Sequence, residues 1–322
     1  MRSKSRVVSA AMAASVVSLP AMAGTIIGQN AVTLWGSDTV VTSWDVRGDV
    51  GSDAFFTPEG ATFFNGALYV SADLGLQSRG RLAAYTPGAS GDLSAPTAIQ
   101  MGLANDGAFW GPEGLTVNTS GVGYGAFAGG DVRLVSVEAT DERAAIINLH
   151  QPGVPVTNTI SIPEPDDIAF VSAAWGFAFI NDLGAGGGQL RRFDVDMHDT
   201  GESWALPLGV EGVAAVSADF AERLTGVRPV DDIALLMVAE ARDDDNLRSR
   251  LLLTDLTGQM LAPTMEFSFG LDGSLEAIAV DEETGWLYIG DATGRRIHAF
   301  QVVPAPGGAV MLAGMLLARR RR

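Results

Sequence analysis

The feature that most narrows the fold of this chain is a short pattern that recurs five times: an acidic residue, a small residue, then an apolar strand. It reads Pro58-Glu59-Gly60-Ala61, Pro112-Glu113-Gly114-Leu115, Pro165-Asp166-Asp167-Ile168, Val210-Glu211-Gly212-Val213 and Leu275-Glu276-Ala277-Ile278. Copies spaced roughly 45 to 65 residues apart indicate repeated units that bury their apolar faces against one another. A β-sandwich has no reason to repeat one motif in this way, and a parallel β-helix would need a shorter period.

A second strand follows each motif after a turn, at Leu68-Tyr69-Val70, Tyr124 to Phe127, Ala178-Phe179-Ile180, Leu236-Met237-Val238 and Leu287-Tyr288-Ile289. A third, flanked by arginine, is expected at Arg81 to Tyr85, Val132 to Val137, Leu190 to Val195, Arg250 to Leu256 and Arg296 to Val302. A fourth precedes the next motif, at Thr97 to Met101, Thr157 to Ile162, Ser203 to Leu208 and Thr264 to Phe269. Four strands per unit describe a propeller blade. The last unit lacks a fourth strand of its own. Val40 to Val46, just ahead of the first motif, can fill that place and close the ring with strands from both chain ends; a sixth blade built from Gly24 to Val46 is the alternative. The expected fold is therefore all-β, a β-propeller of five to six four-stranded blades, with short hydrophobic helices at the N- and C-termini.

Those helices belong to the two ends of the chain. Arg2, Lys4 and Arg6 precede an apolar run from Val7 to Leu19, which is followed by Ala21-Met22-Ala23. This is the build of a secretory signal with a small-residue cleavage site at Ala21 and Ala23, and the run is too short to span a bilayer. Residues 1–23 are thus read as a signal peptide for signal peptidase and 24–303 as the propeller domain. At the far end, Gly307 to Ala318 is a second short apolar segment, closed by Arg319, Arg320 and two further arginines that resist translocation. The order Val303-Pro304-Ala305-Pro306, apolar run, arginine cluster resembles the PEP-CTERM type of bacterial sorting signal, with Ala305 where that family carries glutamate. The resemblance implies that an exosortase-like enzyme processes residues 304–322, and that the protein is sorted to the cell envelope, the cell surface or an extracellular matrix.

The formal charge is −17, and it becomes more negative once both ends are removed, since they hold basic residues and no acid. Such a surface repels nucleic acid and favours cations. Lys4 is the one lysine and there is no cysteine, which excludes lysine Schiff-base chemistry, cysteine nucleophiles and thiolate metal sites. Three histidines, His150, His198 and His298, are too few and too scattered for a histidine-rich zinc centre. No Gly-x-Ser-x-Gly elbow occurs, and Gly184 to Gly188 lacks the Lys-Ser/Thr ending of a phosphate-binding loop.

In a blade, the start of the first strand lies beside the end of the antiparallel second strand. Glu59, Glu113, Asp166, Glu211 and Glu276 stand at the first place; Asp73, Asp182, Glu240 and Asp291 stand at the second, while the second unit offers only small residues near Ala128. Carboxylates gathered at one channel mouth repel one another and are relieved by a hard cation such as Ca²⁺ or another divalent ion. Glu59, Glu113, Asp166, Glu211, Glu276, Asp182 and Asp291 are the candidate ligands. The same acids can equally cap strands by accepting backbone N–H bonds. Asp243-Asp244-Asp245-Asn246 is a further acidic turn without EF-hand spacing.

A Glu-led opening paired with a strand ending in Asp, clearest in Leu275 to Val280 and Leu287 to Asp291, resembles the NHL-type, SMP-30-type (gluconolactonase) and phytase-like propellers. The resemblance implies acidic channel residues that bind calcium or a similar ion. Two functions stay open: a module binding an ion, a small molecule, a glycan or a protein, and a metal-dependent hydrolase of lactones or phosphate esters.

Overall fold

A computed structural model describes residues 26–35, 37–46, 57–73, 81–89, 91–94, 96–100, 113–123, 129–130, 132–138, 143–148, 159–161, 165–182, 187–241, 248–266 and 275–302. In chain order the strands are β1 (Ile26–Leu34), β2 (Ser37–Asp45), β3 (Thr57–Phe64), β4 (Ala67–Asp73), β5 (Arg81–Tyr85), β6 (Thr97–Gln100), β7 (Leu115–Asn118), β8 (Arg133–Glu138), β9 (Arg143–Asn148), β10 (Thr159–Ser161), β11 (Asp167–Ser172), β12 (Gly176–Asp182), β13 (Gly188–Phe193) and β14 (Asp199–Leu206). There follow β15 (Gly212–Ser217), the helix α1 (Ala218–Thr225), β16 (Ile233–Ala241), β17 (Arg248–Thr254), β18 (Met265–Glu266), β19 (Leu275–Asp281), β20 (Trp286–Asp291) and β21 (Arg296–Val302).

These strands make four four-stranded antiparallel sheets, β3 to β6, β7 to β10, β11 to β14 and β15 to β18, and one five-stranded sheet ordered β19-β20-β21-β2-β1. Each sheet is an up-and-down meander set by local turn chemistry. Between β3 and β4 the turn is Asn65-Gly66, both with positive φ (50° and 76°), the backbone that a two-residue hairpin needs and that Asn-Gly adopts readily.

Apolar side chains fill the spaces between consecutive sheets. Leu82 meets Leu115 and Leu134 between the first two; Val135 and Val137 meet Phe177 and Phe179 in the next space; Ile180 and Val171 meet Leu235 and Met237 in the third. Leu236 and Val238 meet Ile289 and Phe300, and Tyr288 and Ala299 meet Val70 and Tyr85, returning to the start. β16 shows why: Leu235, Met237 and Ala239 face one neighbour while Ala234, Leu236 and Val238 face the other. A strand buried on both faces reads as an unbroken apolar run. First strands also pack in a circle, β3 on β7, β7 on β11, β11 on β15, β15 on β19 and β19 on β3. This is the propeller arrangement that the repeats predict.

Two expectations need correction. In the second sheet the partner of β7 is β8, residues 133–138, and not 124–127; residues 124–128 lie outside the described residues. The expected third strand is thus the second, and β9, an element without a counterpart among the expected strands, is the third. Residues 124–130 are rich in Gly and Ala, and a tyrosine and a phenylalanine among them imitate a strand. The other correction concerns a separate sixth blade: β1 and β2 join the sheet of β19 to β21, with Val41 opposite Phe300 and Thr39 opposite Val302. Trp35, at the β1–β2 turn, donates its indole N–H to the Pro263 carbonyl oxygen, tying that hairpin to the neighbouring sheet. Both terminal segments, with Ala21, Ala23, Val303, Pro304, Pro306, Arg319 and Arg320, lie outside the described residues, as do His150 and Asp243 to Asn246.

Candidate functional site

The small residue of each repeat has a packing reason. A Cβ on Gly60 would overlap the Glu113 carbonyl, one on Gly212 the Glu276 carbonyl, and one on Gly114 the backbone and carboxylate of Asp167. At these three places an inner strand touches the acid-led start of the next, and only glycine permits the approach. Ser71 seals one such contact by donating to the carbonyl oxygens of Gly60 and Glu113, each at 3.1 Å. The acid-led starts therefore stand around one rim of the ring.

One repeat breaks the pattern. Where the others have Gly60, Gly114, Gly212 and Ala277, the third has Asp167, fully buried. Its Oδ1 accepts the N–H of Ile168 (2.7 Å) and of Leu115 (3.0 Å), and its Oδ2 accepts the N–H of Val213 (2.6 Å). One carboxyl thus fastens β7, β11 and β15 together. Burial pushes its pKa well above the ordinary carboxylate value, against the pull of the three N–H donors, with neighbouring Asp166 adding to the rise. The doubled acid Asp166-Asp167 carried this signal in the sequence, where Asp167 reads only as the occupant of the small-residue place.

Of the expected ligands, Glu59, Glu113, Asp166, Glu211 and Glu276 are half-buried at the rim. Asp182 ends β12 and Asp291 ends β20. Asp291 is 1% exposed and is used internally: its Oδ1 accepts the Gly294 N–H at 2.6 Å, and its Oδ2 lies 3.6 Å from Nε2 of buried His298. The other ring nitrogen of His298 shares a hydrogen bond of 2.7 Å with the Ser43 hydroxyl, across the β21–β2 junction.

Among the described residues, the one group of three acidic or imidazole side chains with ligand atoms within 4.8 Å of one another is Asp194, Asp196 and His198. It sits at the β13–β14 turn, where Asp194 Oδ1 accepts the N–H of Asp196 and His198. Asp255 makes the same two bonds, from Thr257 and Gln259, at the equivalent turn of the next sheet. The shared geometry marks an Asp-stabilised turn of the fold. Arg191 and Arg192 pair at the surface with Asp199 and Glu202.

The cavity lies elsewhere. About 550 Å³ of space opens within the ring, lined by the later halves of all five inner strands, from Ala61–Phe64, Leu115–Val117, Ala169–Ser172, Val213–Ser217 and Ile278–Val280. Its walls are small apolar groups with hydroxyls at Thr62, Thr116, Thr119, Ser120, Ser172 and Ser217, and among the described residues its one carboxylate is Glu282. The sequence carried a signal for this wall too. Five positions after the small residue of each repeat stands a polar residue: Asn65, Thr119, Ser172, Ser217 and Glu282, the last four of which line the cavity. The acids that open the strands stand at the end of each strand away from this wall.

No family model matches the chain, and no curated protein matches it. Among solved structures, a glutaminyl cyclase from Myxococcus xanthus shares 14% identity over 88% of this chain and 98% of its own, with a TM-score of 0.48. An auxiliary nutrient binding protein from Bacteroides thetaiotaomicron shares 12% over 76% and 69%, with a TM-score of 0.39. A hydrazine synthase from Kuenenia stuttgartiensis shares 11% over 77% of each chain, with a TM-score of 0.41. Likenesses this distant transfer no activity, and the propeller fold stands on the strand order and the closed circle of inner strands.

Proposed function

We propose that this chain is an exported five-bladed propeller that works as a binding module, taking a small ligand into the cavity on the side of the ring away from the acid-led rim. The observation that carries the reading is the cavity itself, about 550 Å³ and walled by all five inner strands. That size falls in the range of small-molecule sites. Export and delivery to the cell envelope, surface or matrix rest on the basic-apolar start with Ala21 and Ala23, and on Val303, Pro304, Pro306, Arg319 and Arg320 at the end. Signal peptidase and an exosortase-like enzyme are the processing partners. Intact-mass measurement of the protein recovered from its native envelope tests this part: termini near Gly24 and Val303 support it, and an unprocessed chain refutes it.

For the cavity, the test is calorimetric titration of the full-length chain in mild detergent against a panel of small molecules, repeated with Ala214→Trp to fill the space. Binding that disappears in the filled variant is the expected result. Binding that survives it places the ligand somewhere else.

A second reading puts a divalent cation at the acidic rim, serving hydrolysis of a lactone or a phosphate ester. Its support is the placing of five acid-led strand starts around one end of the ring. Calcium titration, with lactone and phosphate-ester assays run with and without chelator, tests it. Heat on calcium addition and chelator-sensitive turnover are the outcomes it requires.

A further inference from the structure

Resting on the reading of the cavity as the ligand site, we infer that its ligand is a neutral polyhydroxyl compound of the sugar class, and that Glu282 with Ser217 sets this choice by turning anions away. Thr116 Oγ1 accepts the Phe170 N–H at 2.8 Å, Ser120 Oγ accepts the Val122 N–H at 3.2 Å, and Ser172 Oγ accepts the Trp175 N–H at 3.1 Å. Each hydroxyl spends a lone pair on the backbone and keeps its own proton to give. Three hydroxyls, from β7 with the residues just after it and from the end of β11, thus present O–H donors that suit the oxygen acceptors of a polyol.

The same wall carries an acceptor of full charge. Glu282 Oε1 accepts the Ser217 N–H (2.6 Å) and Oε2 accepts the Ser217 hydroxyl (2.5 Å), and Arg223 Nη2 donates to the Glu282 backbone carbonyl at 2.9 Å. Ser217 is in turn the N-cap of α1, accepting from the Phe220 N–H. The helix, inserted between β15 and β16, therefore holds the carboxylate at the cavity wall. The positive end of the helix dipole is already matched by Glu282 and by Asp219 in its first turn, so it offers nothing to an anionic ligand. A carboxylate has about four lone-pair directions, and two are used, leaving the remainder to accept from a ligand hydroxyl.

Among the described residues that line the cavity, none is an arginine or a histidine, and Arg223 lies behind the wall on the Glu282 backbone carbonyl. Phosphates and carboxylates meet the Glu282 charge there with no cation among the described lining residues, and in a partly desolvated site that repulsion is strong. Phe63, Phe64 and Phe170 supply apolar faces suited to the C–H faces of a sugar ring. Hydroxyl donors, a carboxylate acceptor and aromatic faces, with no cation among the described lining residues, together fit a neutral sugar.

The test is calorimetric titration of the full-length chain with matched sets: neutral mono- and disaccharides, the corresponding uronic acids and the corresponding sugar phosphates. Neutral sugars are expected to bind at least about tenfold more tightly than their anionic counterparts. Glu282→Gln should narrow that gap to less than about threefold while melting within a few degrees of the parent. Thr116→Val with Ser172→Ala should weaken neutral sugars without changing the rank of anions. Equal or tighter binding of the anionic set, abolished by Ala214→Trp, overturns the ligand class and leaves the cavity reading intact. Sugar binding untouched by Ala214→Trp and by a second filling variant, Val280→Trp, overturns both.

Discussion

Replacing Asp167 by alanine removes the one carboxyl that joins three inner strands, and the cost can be worked from its hydrogen bonds. Three buried N–H groups, on Leu115, Ile168 and Val213, lose their acceptor. An orphaned buried donor costs about 1 to 3 kcal/mol. Relief from removing a buried carboxyl works against that sum, so the net loss is expected near 3 to 5 kcal/mol, as when one partner of a buried charged network is deleted. With a urea dependence of about 3 kcal/mol per molar, the midpoint should fall by roughly 1 to 2 M. The assay is urea unfolding of the full-length chain followed by tryptophan fluorescence. Asp167→Gly sharpens it by recreating the acid-glycine pattern of the other repeats. If the position merely requires a small side chain, glycine should match the parent; if the carboxyl is a fastener, glycine should be at least as harmful as alanine. A midpoint shift below about 0.3 M for either variant would refute the fastener account, since that is under roughly 1 kcal/mol.

Three further outcomes follow from the same geometry. The folded-state pKa of Asp167 is raised above the ordinary 3.8 by burial, so the native state keeps this proton to higher pH than the unfolded chain, and its contribution to stability is greatest at the acid end and lost as pH rises through the folded value. The stability difference between parent and Asp167→Asn, measured by urea midpoints over a pH series, should therefore move against the parent as pH rises; a flat or opposite trend would exclude the linkage. Gly212→Ala drives a Cβ into the Glu276 carbonyl, and should cost about 1 to 3 kcal/mol in thermal unfolding, as overpacked sites do. Tyr288 has its hydroxyl buried without a hydrogen-bond partner among the described residues, and its pKa is raised by burial and by Asp281 and Asp92. Tyr288→Phe removes that stranded hydroxyl and should leave the melting temperature unchanged or raise it, with stability gained of about 0 to 1 kcal/mol; clear destabilisation would reveal a partner for the hydroxyl.

The legibility of the fold followed the strength of local patterning. The first strands announced themselves because each couples an acid-led opening, with a glycine demanded by close strand approach at Gly60, Gly114 and Gly212, to a β-rich apolar run, and β5 and β21 were read to the residue. The second sheet was misread because Tyr124 to Phe127 has strand-like residues among glycines, which moved β8 to the place of a third strand. The place of Val40 to Val46 was legible from the missing fourth strand alone, and β2 occupies it. The site was less legible. Acids attract attention in a sequence, yet Asp291 is spent on Gly294 and His298, and the carboxyl that matters to packing, Asp167, occupies a position read as merely small. The cavity wall is built from threonine and serine side chains whose importance depends on which end of a strand they reach, and no single residue type discloses that.

The sheet that joins β2 to β21 has a consequence for how the protein comes into being. Its two halves lie far apart along the chain, β2 ahead of the first repeat and β21 after the fifth. Until β21 docks, β2 has no partner along one edge and the circle of interlocking faces stays open. Closing the ring therefore requires these two strands to find each other across all the sheets between them, and a copy in which they have not met exposes strand edges to proteases or to pairing with other chains.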